Sequence, residues 1–110
     1  MIDWARVCEL RDEIGAEDFE EVAELFLTEV SQCIADLPAA RSPAVLRERM
    51  HALKGASLNL GFAALADICR AGERAAAQGD MNAVRPAEVR NIFAASLAAF
   101  EAEFARRFAA

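Results

Sequence analysis

The sequence has no tyrosine and contains only three prolines and five glycines among its 110 residues. Alanine, leucine, glutamate and arginine are prominent instead, and this composition favours helix over sheet. A chain of this length fits one domain and buries roughly 65% of the surface that it would expose when unfolded, which allows one core without disulfides or metal. We therefore expect a single all-α domain over residues 1–110.

Long apolar runs and basic stripes are also missing. No window reaches the ~18 apolar residues that cross a bilayer, and the N-terminus has no long apolar run before its first charges. The formal net charge is −6, which disfavours binding to a phosphate backbone, since that affinity depends on clustered lysine and arginine. We expect a soluble cytoplasmic protein that binds neither membrane nor nucleic acid.

The cysteines are few, odd in number and far apart. Cys8, Cys33 and Cys69 each fall beside apolar positions of a predicted helix. This placement predicts buried, reduced thiols rather than disulfides or metal ligands, and it agrees with a reducing compartment.

The spacing of apolar residues predicts five helices, four of them long. The first is short, with Asp3 as its N-cap and Gly15 as its stop. The others are expected at about 17–37, from the N-cap Ser42 to about Leu60, at about 62–78, and from Pro86 onward.

The connections between these helices predict the architecture. A tight connection at Gly61 makes the third and fourth helices antiparallel neighbours. The simplest arrangement is an antiparallel up-down four-helix bundle with the short N-terminal helix covering one end. In the second helix, Leu25, Leu27 and Ile34 lie outside the main apolar seam, so this helix is expected to meet neighbours on more than one side.

The single histidine, His51, lies off the apolar stripe of the third helix. His51, Lys54 and Gly55 stand at i, i+3 and i+4 and share one outward face, with Arg47 one turn earlier. A glycine inside a helix costs ~1 kcal/mol relative to alanine. We interpret Gly55 as leaving the imidazole accessible to another macromolecule.

These residue types suit phosphoryl transfer. A neutral imidazole has a lone pair that can attack phosphorus, and the ammonium of Lys54 could pair with phosphoryl oxygens. The sequence has no P-loop, no glycine-rich nucleotide loop and no evident acidic cluster for magnesium. It therefore predicts a domain that accepts and passes a phosphoryl group but has no cofactor and no ATP site of its own. A surface histidine without a function is the alternative at this point.

The segment His51-Ala-Leu-Lys54-Gly55-x5-Gly61 resembles the signature of histidine-containing phosphotransfer (HPt) domains, and the segments 10–19 and 65–73 are also similar to family members. The resemblance implies a phosphorelay carrier in which His51 is the phosphoacceptor, Lys54 stabilises the phosphoryl group and Gly55 keeps the approach open. It implies receiver domains and a histidine kinase or hybrid kinase as partners, with Mg²⁺ bound by the receiver.

The family often has a polar residue on the following helix that orients the imidazole. Counting across the turn at Gly61 places residues 71–73 opposite His51, so that Glu73 is the candidate acceptor from Nδ1; a pairing of Glu73 with an arginine is the alternative. Arg47, Leu58 and Arg70 are candidate partner-binding residues, although Leu58 is as well explained by packing against the next helix.

Three other functions remain open from the sequence. The chain could be a docking module of the same fold that regulates a kinase or receiver without phosphorylation of His51. A bundle holding metal or haem is disfavoured by the single histidine. The dimerising helices of a histidine kinase form their bundle from two chains, whereas four long helices in one chain predict a monomer.

Overall fold

The computed structural model describes residues 1–108 and confirms the all-α prediction. These residues form five α-helices and one short 3₁₀ helix, and they contain no strand. The helices are α1 (Trp4–Ile14), α2 (Ala16–Asp36), α3 (Pro43–Leu60), α4 (Ala63–Ala77) and α5 (Pro86–Phe108), with the 3₁₀ helix at Leu37–Ala39. The single domain over 1–110 stays a prediction, and its last two residues lie outside the described part of the chain.

The helix ends follow from the residues that the sequence places there. The Asp3 side chain accepts a hydrogen bond from the backbone N–H of Arg6, and the Ser42 side chain accepts one from that of Val45. Each bond satisfies a backbone donor that a helix start would leave without a partner. Gly61 ends α3 in the left-handed conformation, with φ of 83°. The predicted starts of α1 and α3 and the stop at Gly61 are therefore confirmed.

The buried face of α2 differs in part from the apolar seam that the spacing predicts, which consists of Phe19, Val22, Phe26, Val30, Cys33 and Leu37. Ala23 and Ile34 are buried, whereas Val22 and Cys33 are only half-buried. Of the three apolar residues outside this seam, Ile34 is buried and Leu27 packs against the core, whereas Leu25 is 66% exposed. Helix α2 contacts α1, α3 and α5, so it meets more than one neighbour as expected, but Leu25 faces solvent.

Helix α1 lies against the turn between α3 and α4. The backbone N–H of Asp3 donates to the carbonyl of Gly61 at 2.7 Å, and that of Ala64 donates to the carbonyl of Met1 at 3.2 Å. The ring of Trp4 also stacks on that of Phe100 in α5, with centroids 5.7 Å apart. These contacts agree with a short helix that covers one end of the bundle.

Helices α3 and α4 make the most extensive contact of any helix pair among the described residues. Gly72 lies in this contact, where a Cβ atom would be 2.8 Å from Cε of Met50, the flexible end of that side chain in α3, and 3.0 Å from Cγ2 of Val84 in the α4–α5 connection. Met50 and Gly72 are each the chain neighbour of a predicted site residue, His51 and Glu73. Gly72 therefore packs directly against Met50 on the core side of the site.

The cysteines are less buried than the sequence predicts. Cys69 is buried, but Cys8 and Cys33 are half-buried because they lie at the margin of the inward stripes of α1 and α2. All three thiols are free. Burial raises the pKa of Cys69 to about 12, so this thiol on the buried face of α4 is neutral.

The turn between α3 and α4 gives a first testable prediction. We expect Gly79→Ala to cost about 1–2 kcal/mol of unfolding free energy, because Gly79 has a left-handed φ of 84° and open space around it. Gly61→Ala should cost about 1–3 kcal/mol more, since its added Cβ would lie 2.8 Å from the carbonyl oxygen of Asp3 and 3.0 Å from Cγ2 of Val7.

The two losses can be compared by denaturant unfolding followed through the fluorescence of Trp4. Gly79→Ala serves as the matched control because it carries the same backbone strain without the clash. Equal losses in the two variants would show that the contact between α1 and the α3–α4 turn adds nothing to stability.

Candidate functional site

His51 points out of the bundle from the middle of α3. Its side chain is 69% exposed, whereas its chain neighbour Met50 and the nearby Leu53 are completely buried. The helical rotation of ~100° per residue separates the two faces in this way. The predicted division of α3 into a core face and an exposed histidine face is therefore observed.

Glu73 on α4 lies directly beside the histidine. Its Oε1 is 2.7 Å from Nδ1 of His51, and its Oε2 accepts a hydrogen bond from Nζ of Lys54 at 2.6 Å. One carboxylate thus binds both predicted site residues of α3. The alternative pairing of Glu73 with an arginine does not occur, because the cation that reaches it is a lysine.

Lys54 is less exposed than a residue on an open cationic patch would be. Its side chain is 22% exposed and that of Glu73 is 18% exposed. The lysine stem lies along the α3–α4 interface while the ammonium reaches the carboxylate, as long cationic side chains commonly do. Lys54 is therefore partly buried near the histidine, a placement that the helical spacing of α3 does not predict.

The charge of Glu73 is stabilised by its two partners. The hydrogen bond from Lys54, with a smaller contribution from the His51 hydrogen bond, holds the pKa of the Glu73 carboxyl below its usual value of 4.5. The carboxylate is therefore ionised at neutral pH.

An ionised carboxylate only accepts hydrogen bonds, so the short contact to Glu73 assigns the proton of the neutral imidazole to Nδ1 of His51. The lone pair then belongs to Nε2, on the side of the ring away from Glu73. This arrangement leaves the nucleophilic nitrogen on an exposed side chain and facing away from the negative charge.

Gly55 lies on the exposed face of α3 next to the histidine. A Cβ atom added there would meet no atom within 4 Å. The packing of this chain therefore does not require a glycine at position 55. The glycine therefore destabilises α3 locally relative to alanine, and no close packing against the described residues offsets this loss.

An open cleft of about 550 Å³ lies beside the imidazole, lined by Ala44, Arg47, Glu48, His51 and Glu73. Of the predicted partner-binding residues, only Arg47 lines it. Ala44 and Glu48 were not predicted, although their positions at i−7 and i−3 from His51 place them on the same helix face and would have allowed it.

The other two predicted partner-binding residues lie outside this cleft. Leu58 is 45% exposed, so it is not packed away against the next helix. Arg70 is exposed and pairs with Asp67 of its own helix, with 2.9 Å between Nη1 and Oδ1. Both remain on the molecular surface, and neither contacts His51.

The comparison with protein families identifies the class. The family model described as "Hpt domain" matches residues 21–103, and the chain therefore belongs to the HPt domain family. Members of this family are histidine phosphotransfer carriers of two-component signalling rather than kinases with an ATP site. The matched range includes all seven predicted site residues and leaves α1, the start of α2 and the end of α5 outside it.

A solved structure shows the same fold. The chain is similar to histidine-containing phosphotransfer protein B (HptB) from Pseudomonas aeruginosa PAO1, with a TM-score of 0.80, 24% sequence identity, and coverage of 96% of this chain and 95% of that one. No curated protein sequence matches the chain.

The described residues also lack the features of two other classes of protein. No helix within residues 1–108 has the length and apolarity that a transmembrane span needs. Residues 1–108 also contain no group of three or more His, Cys, Asp or Glu side chains with the geometry of a metal site. The absence of a cofactor stays a prediction.

The lowered pKa of Glu73 gives a prediction on stability. A carboxyl group whose pKa is lower in the folded than in the unfolded protein stabilises the fold above its unfolded pKa, and this contribution is lost as the pH falls through the folded pKa. We therefore expect wild type to exceed Glu73→Gln in unfolding free energy at neutral pH, and the difference to close as the pH falls below about 4.5.

Denaturant unfolding at a series of pH values measures this difference. The same substitution in a Lys54→Met background is the matched control, because the hydrogen bond from Lys54 is the largest cause of the lowered pKa. The pH-dependent part of the difference should shrink in that background. A difference that is equally large at low and neutral pH would contradict the assignment.

Proposed function

We propose that the chain carries a phosphoryl group on Nε2 of His51 between aspartates of receiver domains in a phosphorelay. The observation that supports this most directly is the contact of 2.7 Å between Nδ1 of His51 and Glu73 on a side chain that is otherwise 69% exposed. In this arrangement Glu73 holds Nδ1, and Nε2 is exposed to an incoming partner.

The transfer step uses the lone pair of Nε2. The lone pair attacks the phosphorus of an aspartyl phosphate, a P–N bond forms, and the P–O bond to the aspartate breaks to return a free carboxylate. In the discharge step an aspartate oxygen of another receiver attacks the phosphorus, and the electron pair of the P–N bond returns to Nε2. No ATP site is needed in this chain, and Mg²⁺ belongs to the receiver.

Each remaining site residue has a role in this proposal. Glu73 orients the imidazole through Nδ1. Lys54 binds Glu73 in the unphosphorylated protein, and its ammonium turns from that carboxylate to the phosphoryl oxygens as negative charge arrives. Gly55 leaves the surface beside the ring without a protruding side chain. Its exposed position without intramolecular contacts supports this role, because a bulky side chain there would meet a partner rather than the bundle.

The partner is a receiver domain, with a histidine kinase or hybrid kinase upstream. Arg47 lies in the cleft beside the imidazole, while Leu58 and Arg70 form the outer part of the proposed contact surface. The exposed Leu58 supplies an apolar contact, and the paired Arg70 supplies a charge at the rim. We further propose that the chain acts as a cytoplasmic monomer, folded as one antiparallel up-down bundle.

The labelling of His51 tests the function. Incubation with a phosphorylated receiver should transfer label to wild type in an acid-labile, base-stable form, and His51→Gln should take up none because it lacks the nucleophilic nitrogen. Circular dichroism of the variant controls for its fold. If no label reaches wild type although the receiver binds it, the chain is instead a docking module of the same fold.

Gly55 gives a second test of the same surface. We expect Gly55→Leu to fold as wild type does, since a Cβ at this position meets nothing within 4 Å, but to accept label about tenfold more slowly or worse, because small misplacements of reacting groups are costly.

The matched control for this test is Ala94→Leu, which adds a similar bulk to an exposed position of α5. Stopped or quenched transfer reactions with a phosphorylated receiver give the rates. Equal rates for Gly55→Leu and Ala94→Leu would refute the steric role of the glycine.

A further inference from the structure

We propose that the groove between α2 and α5 is a docking site for a basic amphipathic helix of a partner protein, separate from the surface that carries His51. Apolar side chains form the floor of this groove, and carboxylates without ion-pair partners form its rim. A partner helix bound there leaves the imidazole free.

The floor of the groove is apolar and comes from both helices. It consists of Phe19, Ala23 and Leu27 from α2 and of Phe100 and Phe104 from α5. The groove has a volume of about 160 Å³, and an apolar cavity of about 150 Å³ is large enough for a benzene ring. It therefore accepts an apolar side chain of the size of leucine or phenylalanine.

Sparse packing between α2 and α5 leaves this floor open to solvent. These two helices make far fewer contacts with each other than α3 and α4 do. Ala23 has a small side chain, and it lies one turn from both Phe19 and Leu27. Leu27 and Phe104 are only half-buried as a result, so that a partner can bury the rest of their apolar surface.

Carboxylates surround the opening of the groove. Glu20 and Glu24 line it from α2, and Glu101 lines it from α5. All three side chains are exposed, and none forms an ion pair with another residue of the described chain. No lysine or arginine within residues 1–108 lines the groove. The rim thus presents negative charge that is complementary to a basic partner.

The charge of the whole chain is distributed in the same sense. Residues 1–36, which include α1 and α2, contain 11 acidic and 2 basic residues and have a net charge of −9. Residues 37–110 contain 7 acidic and 10 basic residues and have a net charge of +3. The negative potential is therefore concentrated on the part of the bundle that contains α2, where it attracts and orients a basic partner.

The shape of the groove favours a helix as the bound segment. Its floor follows α2 from Phe19 to Leu27, a length of about 12 Å at 1.5 Å per residue. A helix lying along α2 and α5 can place apolar residues at i, i+4 and i+7 on this floor, with basic residues on its flanks facing the carboxylates. An extended segment has no sheet edge to join, because residues 1–108 contain no strand.

The groove lies across the bundle from the site on α3 and α4. Contacts join α2 to α3, α3 to α4, α4 to α5 and α5 to α2, so the seam between α2 and α5 is opposite the seam that carries His51. The groove and the cleft beside His51 share no lining residue. A helix in the groove and a second protein at His51 can therefore bind at the same time.

The single tryptophan reports directly on this groove. The ring of Trp4 stacks on that of Phe100, with centroids 5.7 Å apart. The ligand for the test is an alanine-based helical peptide of about 16 residues, with leucines at i, i+4 and i+7, arginines beside them and no aromatic residue. We expect a saturable change in Trp4 fluorescence, and shifts of backbone amide resonances at 19–27 and 100–104. Saturable binding with shifts confined to α3 and α4 would overturn the proposal.

Two charge reversals on α2 separate docking from general attraction between charges. Glu24 lines the groove, whereas Glu29 is equally an exposed carboxylate of α2 but does not line it. Glu24→Lys should weaken peptide binding by about tenfold or more, and Glu29→Lys by about twofold or less because of screening. Circular dichroism controls for the fold of both variants. Equal losses in the two would overturn the proposal.

The apolar part of the contact is tested on the peptide. Replacing its leucines by alanine keeps every positive charge and should weaken binding by about tenfold or more. Unchanged affinity would show that charge alone attracts the peptide and would contradict docking in the groove. His51→Gln should bind the peptide as wild type does, and a loss of binding in this variant would contradict the separation of the two surfaces.

A second copy of the chain is the alternative occupant of the groove. Sedimentation of the protein without peptide distinguishes the two, and we expect a monomer for both wild type and Glu24→Lys. A wild-type dimer that dissociates in Glu24→Lys would assign the groove to self-association and overturn the proposal. Peptide binding is measured without phosphoryl transfer, so its failure leaves labelling of His51 as a separate test of the phosphocarrier function.

Discussion

The carboxylate of Glu73 connects the two helices that form the site, and its position depends on most of the features of the fold. It binds Nδ1 of His51 at 2.7 Å and Nζ of Lys54 at 2.6 Å, which requires α4 to lie close to α3 over this stretch. Within this stretch Gly72 packs directly against Met50. Gly61 makes the turn that sets the register, and α1 packs on that turn.

The site is therefore built on the most closely packed part of the molecule rather than on a loop. His51, Lys54 and Glu73 all project from the interiors of long helices, where backbone positions are held by packing and hydrogen bonds. The residues directly behind them, Met50 and Gly72, belong to the buried core. A rigid support of this kind suits the proposed role of His51, in which one ring nitrogen is presented to receiver domains in a fixed orientation.

The negative charge of Glu73 also affects the chemistry of the histidine. Its two hydrogen bonds lower its pKa, and the ionised form assigns the tautomer of the histidine. A carboxylate so close to a phosphorylated ring also repels the phosphoryl group, an effect that a neutral amide would avoid. In the proposed mechanism this repulsion favours release of the phosphoryl group to the next aspartate.

The sequence alone determined the helices, because apolar spacing, the caps at Asp3 and Ser42 and the glycine at 61 are local signals. It also separated His51 from the core face of α3 by helical rotation. The pairing of Glu73 with Lys54, the half-burial of the lysine and the exposure of Leu25 were decided by tertiary structure alone. Each depends on how close a neighbouring helix lies and on which side it packs. Many contacts between distant parts of the chain set that position, so the sequence of a single helix does not determine it.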